Sequence, residues 1–155
     1  MKQDVKILLV EDYSYDADLT RRALKVNNLD ECLLHLSDGK EALDFLLARG
    51  KYQHRQNFSN PEVVLLDLDL PKVHGTKVLK QLRSEERTRH IPVVILTVSA
   101  DDPLIQECYT LGANSFIIKP VDSVKFHQAV NEIGTYWLNY NKNFPTGTSN
   151  PQSAP

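Results

Sequence analysis

Five short apolar runs recur along the chain: Val5–Val10 (VKILLV), Cys32–Leu36 (CLLHL), Val63–Leu66 (VVLL), Val93–Leu96 (VVIL) and Ser115–Ile118 (SFII). Three of them are almost wholly aliphatic and β-branched and do not alternate with polar residues, the pattern of parallel strands buried on both faces. Between the runs, apolar residues return at helical spacing. Ala17–Val26 carries Leu19, Ala23 and Val26; Gly39–Ala48 carries Ala42, Leu43, Leu46 and Leu47; Thr76–Leu82 carries Val78, Leu79 and Leu82. Leu104–Leu111 carries Leu104, Cys108 and Leu111, with Gly112 placed as a C-terminal cap. A last helix starts near Asp122, a fitting N-cap, and runs to about Tyr140. Repeated strand–helix alternation predicts an α/β sandwich with right-handed crossovers. The polar stretch Gly50–Asn60 reads as a long loop, and Pro145–Pro155 has the composition of a disordered end.

In open α/β sheets, sites form beyond the carboxyl ends of the strands. The first run ends in Glu11 and Asp12, and the third in Asp67, with Asp69 two residues on. The fourth ends in Thr97, and the fifth in Lys119 followed by Pro120. The second ends in Ser37 and Asp38, which fit a helix N-cap. If the first and third strands are neighbours, three carboxylates converge. Two unit charges at about 4 Å repel by about 4 kcal/mol at an effective dielectric near 20, so protons or a cation must relieve the site. All-oxygen ligands favour a hard ion such as Mg2+, completed by phosphate oxygens. Lys119 supplies a positive point charge and Thr97 a hydroxyl. One carboxylate can then act as a nucleophile toward phosphorus, and Asp67, at the tip of the central aliphatic strand, is the choice.

Composition narrows the field. At 155 residues the chain is of one-domain length, and its net charge of −2 gives no broad electrostatic footprint for nucleic acid. No apolar run approaches the roughly 20 residues of a membrane span, and the N-terminal run is too short for a secretory signal. The reading is therefore cytoplasmic, with Cys32 and Cys108 as reduced core or near-core thiols.

ILLVED (Ile7–Asp12), VVLLDLDLPKVHG (Val63–Gly75), PVVILT (Pro92–Thr97) and FIIKP (Phe116–Pro120) resemble the receiver domain of two-component response regulators. The resemblance covers residues 4–140 as the receiver domain and leaves 141–155 as a largely disordered extension. It implies a flavodoxin-like fold, a doubly wound five-stranded parallel sheet of order 2-1-3-4-5 with an extended C-terminal helix. It implies Asp67 as phosphoacceptor. Mg2+ (or Mn2+) would be held by Asp12 and Asp67 directly, by Glu11 through water, and by the backbone carbonyl of Asp69. Thr97 becomes the switch hydroxyl, Phe116 the rotating aromatic and Lys119 the phosphate-binding lysine. The Lys119–Pro120 bond is cis in the family, aiming the amine inward. The long loop before the third strand, the segment DLDLPKVHGTKVLKQLR and the ending KPVDSVKFHQAVNEIGTYWL look like the single-domain regulators paired with cyanobacterial phytochromes. Tyr13, Val98 and His74 depart from the family pattern. Tyr13 and Val98 stand where smaller residues are commoner, and His74 stands where an acid is usual.

The resemblance implies a sensor histidine kinase, of the phytochrome class, as phosphodonor, met through the helix starting near Ala17. Output would pass by protein contact to an unknown downstream partner, through the surface of the fourth helix, fifth strand and fifth helix, with no nucleic acid or membrane involved. Phe126, Val130, Ile133, Trp137 and Tyr140 form a narrow helical seam. A helix reaching Tyr140 would overhang the sheet at the end away from the acids, leaving Trp137, Leu138, Tyr140 and Phe144 short of a partner. That predicts a two-fold homodimer through this helix and the strand-five edge. Two other functions compete. Asp67–Leu68–Asp69 also fits the D-x-D nucleophile of haloacid-dehalogenase-type phosphatases, with Asp69 as general acid, although there the D-x-D ends the first strand. The other is a receiver-like dimer scaffold whose site is idle.

Overall fold

The computed structural model describes residues 4–99 and 101–145. Its strands are β1 (Ile7–Val10), β2 (Leu33–Leu36), β3 (Val63–Leu66), β4 (Val93–Thr97) and β5 (Ser115–Ile118). They form one parallel sheet of order β2-β1-β3-β4-β5, as expected. The helices are α1 (Ser14–Lys25), α2 (Gly39–Leu46), α3 (Gly75–Ser84), α4 (Asp102–Thr110) and α5 (Ser123–Thr135). Alternate strand residues feed two cores. Leu8, Val10, Val64, Leu66, Val93 and Ile95 pack on one face with α2, α3 and Cys108 of α4. Ile7, Leu9, Val63, Leu65, Val94 and Leu96 pack on the other with α1 and α5. Burial on both faces is why β1, β3 and β4 carry unbroken aliphatic runs.

Side-chain caps start the helices where the chain leaves the strand ends. Asp38 accepts from the Glu41 amide, Asp101 from that of Leu104, and Asp122 from those of Val124 and Lys125. At Gly75, a β-carbon would lie 2.4 Å from the Asp67 carbonyl oxygen. Only glycine lets α3 begin that close to the end of β3. Gly134 allows a similar approach of α5 to Leu24 of α1.

The structure corrects several expectations. Gly50–Asn57 is a 3-10 helix rather than a loop, and its Tyr52 and Arg55 are buried. The Arg55 guanidinium lies 3.5 Å from the centroid of the Phe45 ring. A charged residue that buries by stacking looks polar in any hydropathy pattern. The C-terminal helix does not run uniformly to Tyr140, because α5 passes at Thr135 into a π-helical turn over Tyr136–Tyr140. Its wider turn shifts the register. Trp137 and Leu138 are half-buried against the second core, so they do not lack a partner within the chain. Tyr140 stays 77% exposed, while the exposed Phe144 stacks on His90 at 3.6 Å. Residues 141–145 lie along the body of the domain, with the Asn143 amide donating to the Glu62 carbonyl. The remainder of the expected disordered end, 146–155, lies outside the described residues.

Candidate functional site

The order of the strands assembles the site. β1 lies between β2 and β3, and pairing of Val10 with Leu66 carries Glu11 and Asp67 off the sheet side by side. The Asp67 amide donates to the Val10 carbonyl and the Glu11 amide to that of Leu36. Further along, the Lys119 amide donates to the Thr97 carbonyl, joining the ends of β4 and β5. Glu11, Asp67, Thr97 and Lys119 are all buried, and Asp12 is exposed at the mouth.

Lys119 is the hub. Its ammonium donates to Glu11 Oε2 at 2.5 Å, Asp16 Oδ2 at 2.9 Å and Asp67 Oδ2 at 2.9 Å. An ammonium has three N–H donors, so these acceptors saturate it. The other oxygen of Asp67, Oδ1, accepts from the amides of Leu68 (2.6 Å) and Asp69 (3.3 Å). Burial pushes Glu11 up to about 7; the hydrogen bond from Lys119 offsets this only in part, and repulsion from Asp67 adds to the rise. Burial also pushes Asp67 upward, but the bonds from Lys119 more than reverse it and hold its carboxyl below the usual range. For Lys119, burial works against the charge, and the bonds to Asp67, Glu11 and Asp16 outweigh it, so it titrates above an ordinary lysine. The site is an anionic pocket around a permanent cation.

The donor set fits a hard divalent ion. Glu11, Asp12 and Asp67 each offer a carboxylate oxygen, all within 4.8 Å of one another, and oxygen-only ligands of this kind suit Mg2+ or Mn2+. Lys119 alone cannot neutralise four nearby carboxylates. The hydroxyl of Thr97 is fully buried and has no hydrogen-bond partner. An orphaned buried hydroxyl costs roughly 1–3 kcal/mol, and a phosphoryl oxygen at the strand ends would satisfy it.

Other residues fall less simply. Asp69 turns its carboxylate outward, 3.4 Å from the Ser99 hydroxyl and 3.9 Å from His74 Nε2, and it stays outside the carboxylate cluster. Phe116 is half-buried against the first core. The expected cis bond at Pro120 is not found: no peptide bond among the described residues is cis. Trans is the lower-energy form of an X–Pro bond, and Lys119 reaches the acids from it. Tyr13 and Val98 are both exposed beside the site. His74 turns out to cap α3, its Nδ1 accepting from the Thr76 amide. Two contacts escaped the sequence reading. One is Asp16, which precedes the apolar repeat that begins at Ala17 and sits in the first turn of α1, one turn beyond Asp12. The other is His35 of β2, whose Nε2 lies 2.6 Å from the Glu11 carbonyl.

With this geometry in hand, the comparisons are direct. The model of the response regulator receiver domain matches residues 7–131, and the chain belongs to that family. It is 42% identical to the probable methanogenesis regulatory protein FilR2 of Methanothrix harundinacea over 136 residues, 88% of this chain and 85% of that one. It is 36% identical to the response regulator Rcp1 of Synechocystis over 132 residues, 85% and 88% of the two chains. The Mn(2+)-bound structure of Rcp1 superposes with a TM-score of 0.81, covering 90% of this chain and 98% of that one. The phosphorylated cyanobacterial phytochrome response regulator RcpA superposes at 0.83 with 33% identity, covering 90% and 97%. The narrower resemblance to cyanobacterial phytochrome regulators thus has its counterpart in RcpA. The haloacid-dehalogenase alternative falls with the family match. No helix among the described residues is long and apolar enough to cross a membrane.

Proposed function

We propose that this chain is a cytoplasmic phosphoacceptor that takes a phosphoryl group from a histidine kinase onto Asp67 and signals by protein contact. The observation that carries the reading is the pairing of a lysine-bound, buried Asp67 with the partnerless Thr97 hydroxyl at the neighbouring strand end. Glu11, Asp12, Asp67 and the Asp69 carbonyl would hold Mg2+, which when bound neutralises charge on the phosphoryl oxygens. An Asp67 oxygen attacks phosphorus in line. The new P–O bond forms as the P–N bond of the phosphohistidine breaks, and the electron pair leaves with the imidazole. Lys119 then donates to a phosphoryl oxygen, the Thr97 hydroxyl turns toward the same anion, and Phe116 packs inward behind it. The chain promotes its own phosphorylation and dephosphorylation without turning over a separate substrate.

Likeness to the phytochrome response regulator RcpA supports a phytochrome as the kinase. The output surface is that of α4, β5 and α5, where Tyr109, Ile118, Val121 and Val124 are exposed. We assign a homodimer to the same side, extended by Tyr140 and Phe144 beyond α5; Trp137 and Leu138 contribute less because they are already half-buried in one chain. Incubation with acetyl phosphate and Mg2+ should load one phosphate per chain, and Asp67→Asn should load none. Equal labelling of that variant would refute the assignment. Sedimentation at micromolar concentration should find a dimer; a clean monomer, with or without phosphate, would remove the interface.

A further inference from the structure

We propose that Asp16 is a positioning residue for phosphoryl transfer, the carboxylate that keeps Lys119 in the site while its other two partners are taken away. The inference rests on the phosphoacceptor reading above. Lys119 has three acceptors, Glu11, Asp16 and Asp67. Glu11 and Asp67 both belong to the carboxylate cluster that suits a divalent ion, and Asp67 also becomes esterified; Asp16 is outside that cluster. Asp16 is therefore the one partner whose chemistry stays constant through the reaction.

Its mounting suits the task. Asp16 lies in the first turn of α1, and the next residue, Ala17, is buried in the second core. The buried Thr20 hydroxyl donates to the Asp16 carbonyl at 2.8 Å. Lys119, by contrast, lies just past the end of β5, a strand paired on one side only, and two residues before the fully exposed Val121. A long side chain so placed must be tethered from outside its own strand, or its rotamer freedom is lost during transfer. The α1 carboxylate supplies that tether, holding the ammonium at the same 2.9 Å as Asp67 Oδ2 does.

The test follows phosphate uptake from acetyl phosphate, in which the bond from phosphorus to the acetyl oxygen breaks and acetate leaves with the electron pair. At saturating Mg2+, Asp16→Asn should load phosphate between about tenfold and a hundredfold more slowly. Asp16→Glu should recover most of the rate. Calorimetric titration with Mg2+ should show nearly unchanged affinity in Asp16→Asn. In a Lys119→Met background, Asp16→Asn should cause no further loss. Trp137, the single tryptophan, reports folding by its emission, and Asp16→Ser replaces Asp16→Asn if that chain does not fold. Wild-type rates in Asp16→Asn would overturn the proposal, as would equal losses with and without Lys119 or a fall in Mg2+ affinity matching the fall in rate. If the wild-type chain takes no phosphate, the phosphoacceptor reading fails instead.

Discussion

At the carboxyl rim of the sheet one lysine faces three carboxylates; at the opposite rim three arginines face none. Arg83 donates to the carbonyls of Gly112, Arg89 and Ile91 and to the Asn114 side chain. Arg87 donates to the carbonyls of Leu46, Arg55, Gln56 and Phe58. Arg55 donates to the Phe45 and Ser59 carbonyls and lies over the Phe45 ring. No ion pair among the described residues involves any of the three. Burial lowers the pKa of each, and Arg87 adds repulsion at Arg55. Helices of this fold run antiparallel to the strands, so their carbonyl ends gather there and favour cations. The guanidiniums close off backbone acceptors and have no further chemistry. The carboxyl rim is built the other way, with surplus negative charge and one unsatisfied hydroxyl, and it is the rim that can respond to a ligand.

Substitutions can break this contrast, and the largest effect is expected at Lys119. In Lys119→Met, three acids lose their counter-charge, costing about 3–5 kcal/mol at neutral pH without divalent cations. Added Mg2+ should restore much of this in denaturant melts. Arg87→Met should cost less, about 2–3 kcal/mol from carbonyls left without a donor, and Mg2+ should not change that loss. If the two variants respond alike to Mg2+, the contrast is wrong.

Thr97→Val tests the orphan hydroxyl. An isosteric apolar group should leave stability unchanged or raise it by up to about 1 kcal/mol, while the change of surface on phosphorylation is lost. A clear destabilisation would mean that the hydroxyl already has a partner. A last test needs no substitution and uses pH. The pKa of Glu11 is raised in the folded chain from 4.5 to about 7, so the folded state holds a proton that the unfolded chain releases. The stability from this group is complete below the unfolded value and is lost as pH rises through about 7. Without Mg2+, stability should therefore decline between about pH 5 and 7. Mg2+ should bind more tightly as pH rises through that window, with proton release visible by calorimetry in two buffers. Binding independent of pH would place the proton elsewhere.

The sheet was legible because strands buried on both faces have few ways to be written. Val63–Leu66 is apolar throughout and Val93–Thr97 at every position but the last, and the chemistry starts where the run stops. The polar groups of the site were legible for the same reason, since Glu11, Asp67, Thr97 and Lys119 sit where an apolar run ends. Asp16 was not, because it comes from a helix turn rather than a strand end, and an acid there normally does no more than favour the helix dipole. Arg55 was missed because its burial depends on a ring distant in sequence. The π turn was missed because Trp137 and Tyr140 fit an α-helical seam; the packing of Leu138 and the bond from the Asn141 amide to the Tyr136 carbonyl reveal the shifted register.

The crowding at Gly75 also constrains how this chain can diverge. A β-carbon there would collide with the carbonyl of Asp67 itself, so every substitution pushes on the peptide of the proposed phosphoacceptor. A residue that offers no functional group is thus as constrained as its reactive neighbours, and any replacement of it would have to move the start of α3 away from the end of β3.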